Sequence, residues 1–368
     1  MRATWKRGKH RRMTDELPKT VVPRGDTDWQ SFLSIDALTA WMDGQGLGTG
    51  AIADAHLLGG GTQNILLRFT RAGRAYVLRR PPKHLRANSN ETMRREARVL
   101  AALKGTGVPH PDLIAACGDD SVLGAAFYLM EPVDGFTPRE EMPSLHANDP
   151  AIRRAMGFEM VDAIAALSKV DYAARGLADF GKLDNFLERQ VGRWRSQLES
   201  YAEFAGWPGL SGIPGVDAVG EWLGVHRPSG FAPGIIHGDF HFGNVLFDRH
   251  SPRMTAMVDW ELTTLGDPLV DLGWVLCMWP EDGAETGPVA GSWTGFPTRA
   301  EIIARYAEKT GRDVGHADWY EVLACYKLGA ILEGTYARAC TGRAPKQTGD
   351  FLHASTVSLF TRALAKIG

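Results

Sequence analysis

The densest run of polar residues in an apolar setting is Ile235-Ile236-His237-Gly238-Asp239-Phe240-His241-Phe242-Gly243-Asn244-Val245-Leu246-Phe247-Asp248. Two β-like stretches bracket a loop that carries a histidine, a carboxylate and an amide at fixed offsets. A second strand, Met254 to Val258, then delivers Asp259-Trp260-Glu261 at its end. Loops at strand ends are where a rigid scaffold displays reactive groups. Asp239 offers a base for a hydroxyl proton, and Asn244 and Asp259 offer hard oxygen ligands of the kind Mg²⁺ takes. Phosphoryl transfer needs such a set: an oriented nucleophile, a metal that neutralises phosphate charge, and backbone amides around the phosphates. The glycine-rich hairpin Gly59-Gly60-Gly61-Thr62-Gln63-Asn64 would supply the amides, because glycine lets backbone N–H groups approach anionic oxygens closely.

Each of these features also has a plainer reading. Taken alone, the three glycines are an ordinary hairpin turn. As a dinucleotide fingerprint they fail, because Asn64 stands at the third glycine position and no βαβ unit follows; a G-x-x-x-x-G-K-[ST] segment is absent from the whole chain. His237 and His241 have the i, i+4 spacing of a metal pair, but Gly238 and the aromatic neighbours suit a tight loop better than a helix, and no third ligand motif presents itself. His237 reads as a residue that holds the loop by hydrogen bonds. Asp267 and Asp271 read as capping the helix that starts near Pro268 and bracing the loop that carries Asp239, with extra metal ligation as the alternative.

The elements that must position these groups fall into two sets. Asp28 to Met42 has helical spacing, followed by three short strands (Ala55 to Leu58, Ile65 to Phe69, Ala75 to Arg80) joined as an antiparallel meander. Ser89 or Asn90 is placed to cap a helix from Glu91 to Lys104, and strand-like runs follow at Leu113 to Ala115 and Ala126 to Met130. Beyond residues 131–135 the pattern turns helical, at Pro150 to Ser168, Phe186 to Tyr201, Pro214 to Leu223, Thr298 to Lys309 and Trp319 to Ala339. The expected fold class is α+β, a small antiparallel β-sheet lobe ahead of a larger, mostly helical one. The expected divisions are a disordered or extended segment over 1–27, an N-terminal lobe over 28–132 and a C-terminal lobe over 133–368.

His237-Gly-Asp239-x-x-x-x-Asn244 followed by Asp259 resembles the catalytic and metal-binding motifs of the aminoglycoside phosphotransferase and choline kinase-like family, relatives of the protein kinases. The likeness runs from about residue 50 to the C-terminus and implies a bilobal protein kinase-like fold. It implies that Asp239 is the catalytic residue, that Asn244 and Asp259 hold Mg²⁺, and that Gly59 to Asn64 cover the triphosphate of ATP or GTP. Arg79 falls where the pattern has its phosphate-binding lysine, and Glu96 where that lysine's partner glutamate sits. Met130, Glu131 and Val133 match the hinge that contacts adenine through its backbone. Within the family, Val258-Asp259-Trp260-Glu261-Leu262-Thr263-Thr264-Leu265-Gly266-Asp267-Pro268 and Tyr76-Val77-Leu78-Arg79-Arg80-Pro81-Pro82 are similar to a branch that includes the kinase-like domain fused to some acyl-CoA dehydrogenases. A chain of 368 residues is expected to leave no room for a dehydrogenase domain beside a kinase fold. Arginine for lysine at position 79 keeps the charge but exchanges a point cation for a planar fork. Asp259-Trp260-Glu261 keeps the metal ligand and gives up the flexible glycine of Asp-Phe-Gly, so no flipping of that segment is expected.

Composition narrows the rest. With 41 Lys+Arg against 43 Asp+Glu the chain lacks the basic excess of a nucleic-acid binder. Its basic start (Arg2, Lys6, Arg7, Lys9, Arg11, Arg12) is followed by polar residues instead of an apolar signal core, and no stretch is long and apolar enough to span a membrane. Four scattered cysteines without C-x-x-C spacing point to a reducing, cytoplasmic setting. Trp194, Trp222, Trp274 and Trp319 read as core, while Trp279 and Trp293 flank a polar loop that is either a substrate lid or a surface insertion. The expected function is transfer of the nucleotide's γ-phosphate to a small hydroxylated substrate, with a hydroxyacyl-CoA suggested by the branch resemblance and by basic residues near the C-terminus (Arg338, Arg343, Lys346, Arg362, Lys366). Aminoglycoside phosphorylation and nucleotide binding without transfer are the alternatives. No nucleic-acid or membrane partner is expected, and the oligomeric state stays open.

Overall fold

The computed structural model describes residues 29–59 and 64–368, so the expected N-terminal segment and Gly60, Gly61, Thr62 and Gln63 of the hairpin lie outside the described residues. A single 3₁₀ turn at Trp29–Ser31 precedes helix α1 (Ile35–Gly44), which begins later than the apolar spacing suggested. Ser34 sets the start: its Oγ accepts the Ala37 N–H at 3.2 Å and caps the helix there.

Strands β1 (Ala53–Leu57), β2 (Ile65–Arg71) and β3 (Arg74–Arg80) form the expected meander, and β4 (Leu113–Cys117) and β5 (Phe127–Met130) complete an antiparallel sheet of order β1-β2-β3-β5-β4. Burial alternates along β2, so Leu67 and Phe69 point inward with Leu78, Phe127 and Leu129 against Leu38 and Met42 of α1. Leu33, just ahead of α1, and Leu123, between β4 and β5, join this small core.

Helix α2 (Ser89–Leu103) covers the opposite side and takes part in the large core of the helical lobe through Met93, Ala97 and Leu100. Neither expected cap residue acts as one. Ser89 Oγ accepts the Arg86 N–H, and the Asn90 side chain accepts the Ala126 N–H and donates to Asp120, so both lie inside the first turn. Two arginines fasten α2 to the second lobe. Arg95 donates to the Phe180 and Thr263 carbonyls with its guanidinium 3.9 Å from the Phe180 ring centre, and Arg98 pairs with Asp179 at 2.7 Å.

The helical lobe contains α3 (Ser144–Asn148), α4 (Pro150–Ser168), α5 (Glu188–Ser200) and α6 (Val216–Val225). Two two-stranded ribbons follow, made by β6 (Gly234–Ile236), β7 (Val245–Phe247), β8 (Met254–Met257) and β9 (Thr264–Gly266), with β6 on β9 and β7 on β8. Helices α7 (Leu269–Met278), α8 (Arg299–Thr310), α9 (Ala317–Cys340) and α10 (Lys346–Ile367) complete the chain. Thr298 and Glu301 start α8 with a reciprocal capping box. The stretch of α9 from Trp319 to Lys327 is buried on all sides and forms the lobe's axis.

The sequence reading did not anticipate α10. Its first turns, Lys346-Gln347-Thr348-Gly349-Asp350, lack an apolar period, and the helix is made by packing antiparallel along α9, with Gly349 under Ala339 and Phe360 over Gly329. That packing also gives some of the basic C-terminal residues partners within the chain. Arg362 and Lys366 turn inward to the buried carboxylate of Glu321 at 3.4 and 3.0 Å, and Lys346 pairs with Asp350 at 2.5 Å. Arg362 and Lys366 are thereby engaged within the fold, while the Lys346 side chain remains 82% exposed.

Candidate active site

The loop between β6 and β7 is shaped from below. Asp271, in the first turn of α7, accepts the His237 N–H through Oδ2 (2.7 Å) and the Gly238 N–H through Oδ1 (2.9 Å). Gly238 has φ +87°, and a side chain there would strike the Leu262 carbonyl, so the turn needs glycine. Asp267 Oδ1 accepts the Leu269 N–H and its other oxygen takes the Tyr320 hydroxyl. The two aspartates therefore do the capping and bracing expected of them.

His237 is fully buried, with Nε2 3.0 Å from the Val258 carbonyl and Nδ1 facing the Asp239 N–H. Both nitrogens are committed and burial lowers its pKa to about 4, so the ring is neutral with Nε2 as donor. It is a structural residue; the metal-pair reading with His241 has no lone pair left to use. His241 instead accepts the Gly243 N–H and places Nε2 3.6 Å from Asp239.

Asp239 stands at the open end of this scaffold. Burial pushes its carboxyl up, but His241, His237 and Lys327 pull it down further, and the balance lies below the usual carboxylate range. Asn244 donates through Nδ2 to the Asp239 carbonyl (2.9 Å) and carboxylate (3.2 Å), which leaves its Oδ1 for another partner. Asp259, after β8, has φ +67° and ψ +64°, the left-handed region that a non-glycine residue enters at a cost of about 1–3 kcal/mol. The buried Trp260 ring, 4.8 Å from the His237 ring, wedges that turn in place.

Across the cleft, Arg79 on β3 lies with Nε 2.9 Å from Glu96 of α2 and Nη2 2.7 Å from Asp259. Burial works against the charge of Arg79, yet Tyr128, Glu96 and Asp259 outweigh it and hold the guanidinium above its ordinary pKa. Tyr128 on β5 donates to Glu96 at 2.8 Å, a supporting residue missed because tyrosine in a buried strand reads as packing. At the hinge, the Glu131 N–H is given to the Asp112 carbonyl (2.9 Å) and its carboxylate pairs with Arg74. Pro132 carries no N–H, so Val133 is the next backbone donor along this edge. Gly59 and Asn64 flank the hairpin beside β1 and β2.

The polar loop over 280–297 turns out to be anchored. Trp279, Trp293 and Phe296 are buried and surround Phe242 of the Asp239 loop with ring centres 5.5–5.7 Å from it, and the Ala290 N–H reaches the Pro138 carbonyl at 2.7 Å. Aromatic burial makes its ends a buttress of the Asp239 loop.

The arrangement pairs a carboxylate, an amide oxygen and a second carboxylate on one lobe with a buried cation on the other. The model of the Phosphotransferase enzyme family matches residues 54–314. The chain belongs to the phosphotransferase enzyme family. Among solved structures, this phosphotransferase resembles one described as a putative aminoglycoside phosphotransferase from Ralstonia eutropha, at 30% identity and a TM-score of 0.76, over 90% of this chain and 99% of that one. An aminoglycoside phosphotransferase in ternary complex with AMP-PNP and hygromycin B shares the fold at 14% identity and a TM-score of 0.57, over 89% and 98% of the two chains. Among curated proteins, mouse acyl-CoA dehydrogenase family member 10 is 31% identical over 325 residues, 86% of this chain and 29% of the relative. The rat family member 11 is 31% identical over 304 residues, 81% of this chain and 38% of the relative. The phosphotransferase thus spans well under half the length of these relatives. No helix among the described residues is long and apolar enough to cross a membrane.

Proposed function

We propose that this phosphotransferase moves the γ-phosphate of ATP or GTP to the hydroxyl of a small molecule, with Asp239 as the group that receives the hydroxyl proton. The observation that carries the reading is the approach of Arg79 to Asp259, 2.7 Å across the cleft and 180 residues apart in sequence, which brings a buried cation beside the loop that holds Asp239. Arg79, steadied by Glu96 and Tyr128, would bind the α- and β-phosphates. The hairpin from Gly59 through Gly60, Gly61, Thr62 and Gln63 to Asn64 would cover them, and the Met130-to-Val133 edge would meet the base.

Mg²⁺ fits the donor set, because Asn244 Oδ1 and the partly exposed Asp259 carboxylate are hard oxygens on one side of the cleft. Bound there, it would neutralise phosphate charge as the transfer proceeds. The chain's own contribution is positioning: Asp239 is ionised at neutral pH and accepts the hydroxyl proton, while Asn244 fixes the carboxylate's orientation. The likeness to a complex with AMP-PNP supports a nucleotide donor.

For the acceptor, a hydroxylated acyl group such as a hydroxyacyl-CoA is favoured by the acyl-CoA dehydrogenase family relatives, and an aminoglycoside is the second reading, favoured by the solved neighbours' names. Asp239→Ala is expected to abolish transfer while nucleotide affinity stays within a few-fold; undiminished turnover in that variant would defeat the assignment. A screen of hydroxyacyl-CoAs beside kanamycin and choline, read by ADP release, identifies the acceptor class.

A further inference from the structure

Below Gly238 a cleft is walled by Phe186, Trp194, Ile236, Leu262, Trp274 and Leu323. Its polar lining consists of Gln190, Arg193, Thr264, Tyr320 and Lys327, with no carboxylate among them. The Tyr320 hydroxyl is given to Asp267 and the Gln190 amide N–H to the Phe186 carbonyl. Arg193, exposed on α5, makes no ion pair among the described residues, and its guanidinium lies 4.8 Å from the Trp194 ring centre. Lys327 projects from α9 with only 8% exposure. Its Nζ donates to the Gly238 carbonyl at 2.6 Å and sits 4.1 Å from the Trp274 ring centre.

A buried ammonium has three N–H bonds and a charge to compensate, and leaving it short of partners costs several kcal/mol. Gly238 takes one of those bonds. The nearest carboxylates are already engaged: Asp271 by two backbone N–H groups, and Asp239 by Asn244 and His241. Asp239 and Asp271 favour the Lys327 charge from nearby, and the Gly238 carbonyl is its one hydrogen-bond partner among the described residues, which leaves N–H donors for a group in the cleft.

We propose that Lys327 and Arg193 form the anion-binding pair of the acceptor site, and that the acceptor is a hydroxylated molecule with an apolar body and an anionic group. The apolar body lies on the Trp194, Trp274 and Leu323 wall, the anionic group meets the two cations, and the hydroxyl reaches Asp239, next in sequence to Gly238. Amino alcohols and aminoglycosides are disfavoured, since their cations would meet like charge. This deepens the transfer reading and rests on Asp239 being the residue that meets the hydroxyl.

Binding separates the two claims, because it needs no turnover. Titration calorimetry of the whole chain with 3-hydroxyoctanoate, its neutral isostere octane-1,3-diol, and choline should give an order of affinity with the carboxylate first, about tenfold or more ahead of the diol. Arg193→Gln and Lys327→Met should each bring that ratio down to near one. Arg193 is exposed, so its variant keeps the wild-type melting temperature even if Lys327→Met unfolds. A merely structural lysine would change stability without changing the carboxylate-to-diol ratio. Equal affinity for acid and diol, preference for choline, or an unaltered ratio in Arg193→Gln would overturn the proposal. The transfer reading fails on a different result, the absence of Asp239-dependent ADP release with any acceptor.

Discussion

At the scale of single residues, Arg79 is the group whose environment most constrains it. Its guanidinium compensates a carboxylate buried to 1% exposure, Glu96, and at the same time reaches Asp259. Removing the cation strands that carboxylate, so Arg79→Met is expected to lower unfolding free energy by about 3–5 kcal/mol in urea titrations. The double variant Arg79→Met/Glu96→Gln should recover much of the loss, and a single variant as stable as the parent would show that the pair carries no such role. Legibility was uneven at this scale. Asp239, Asn244, Asp259, Arg79 and Glu96 were readable because their spacing is tied to a motif, and the structure gathers them around one cleft. Lys327 and Tyr128 were not, because nothing local marks them: a lone lysine in Ala324-Cys325-Tyr326-Lys327-Leu328 is informative only once that stretch of its helix is known to be buried all round. Cys277 and Cys325 likewise looked unrelated, yet their sulfurs lie 3.5 Å apart between α7 and α9.

At the scale of elements, the contact of α7 with α9 matters most, since one helix carries Asp271 and the other Lys327. Gly273 makes it possible: a Cβ there would lie 2.4 Å from the Tyr320 carbonyl oxygen, and backbone cannot yield as a side chain can. Gly273→Ala should therefore push the helices apart, costing about 1–3 kcal/mol and reducing turnover as well. Gly192, on α5 with open space around it, makes the contrast, and Gly192→Ala should stabilise by about 0.4–1 kcal/mol without touching turnover. Thermal melts of the two variants side by side test both signs. Helices with clear apolar spacing, such as Pro150–Ser168, were legible to the residue. Helix α10 and the buttress over 280–297 were not, because both are fixed by tertiary partners (α9 and Phe242) and not by a local period.

At the scale of the whole molecule, the buried neutral His237 links folding to pH. Its pKa falls from about 6.5 in the unfolded chain to about 4 in the fold. The folded state then binds fewer protons between those values, so this contribution is fully present above about pH 6.5 and is lost as pH falls toward and through 4. The loss amounts to about 3 kcal/mol at 1.36 kcal/mol per pKa unit. Asp271, raised to about 6 by burial, acts with the opposite sign between its unfolded value and 6, which masks part of the effect in the parent. Urea unfolding of the parent and of His237→Asn across pH 4–7 isolates it: the stability gap between the two should shrink on acidification, and a constant gap would contradict the assignment.

The arginines that lash α2 to the helical lobe set a limit on how this enzyme can be governed. Arg95 and Arg98 hold the helix that bears Glu96 against Phe180, Thr263 and Asp179, so Glu96 cannot swing away from Arg79 without tearing four or more contacts at once. Kinases that are switched on and off move that helix. A helix bolted down in this way keeps Glu96 beside Arg79, so moving that helix is not a route by which the pair can be broken.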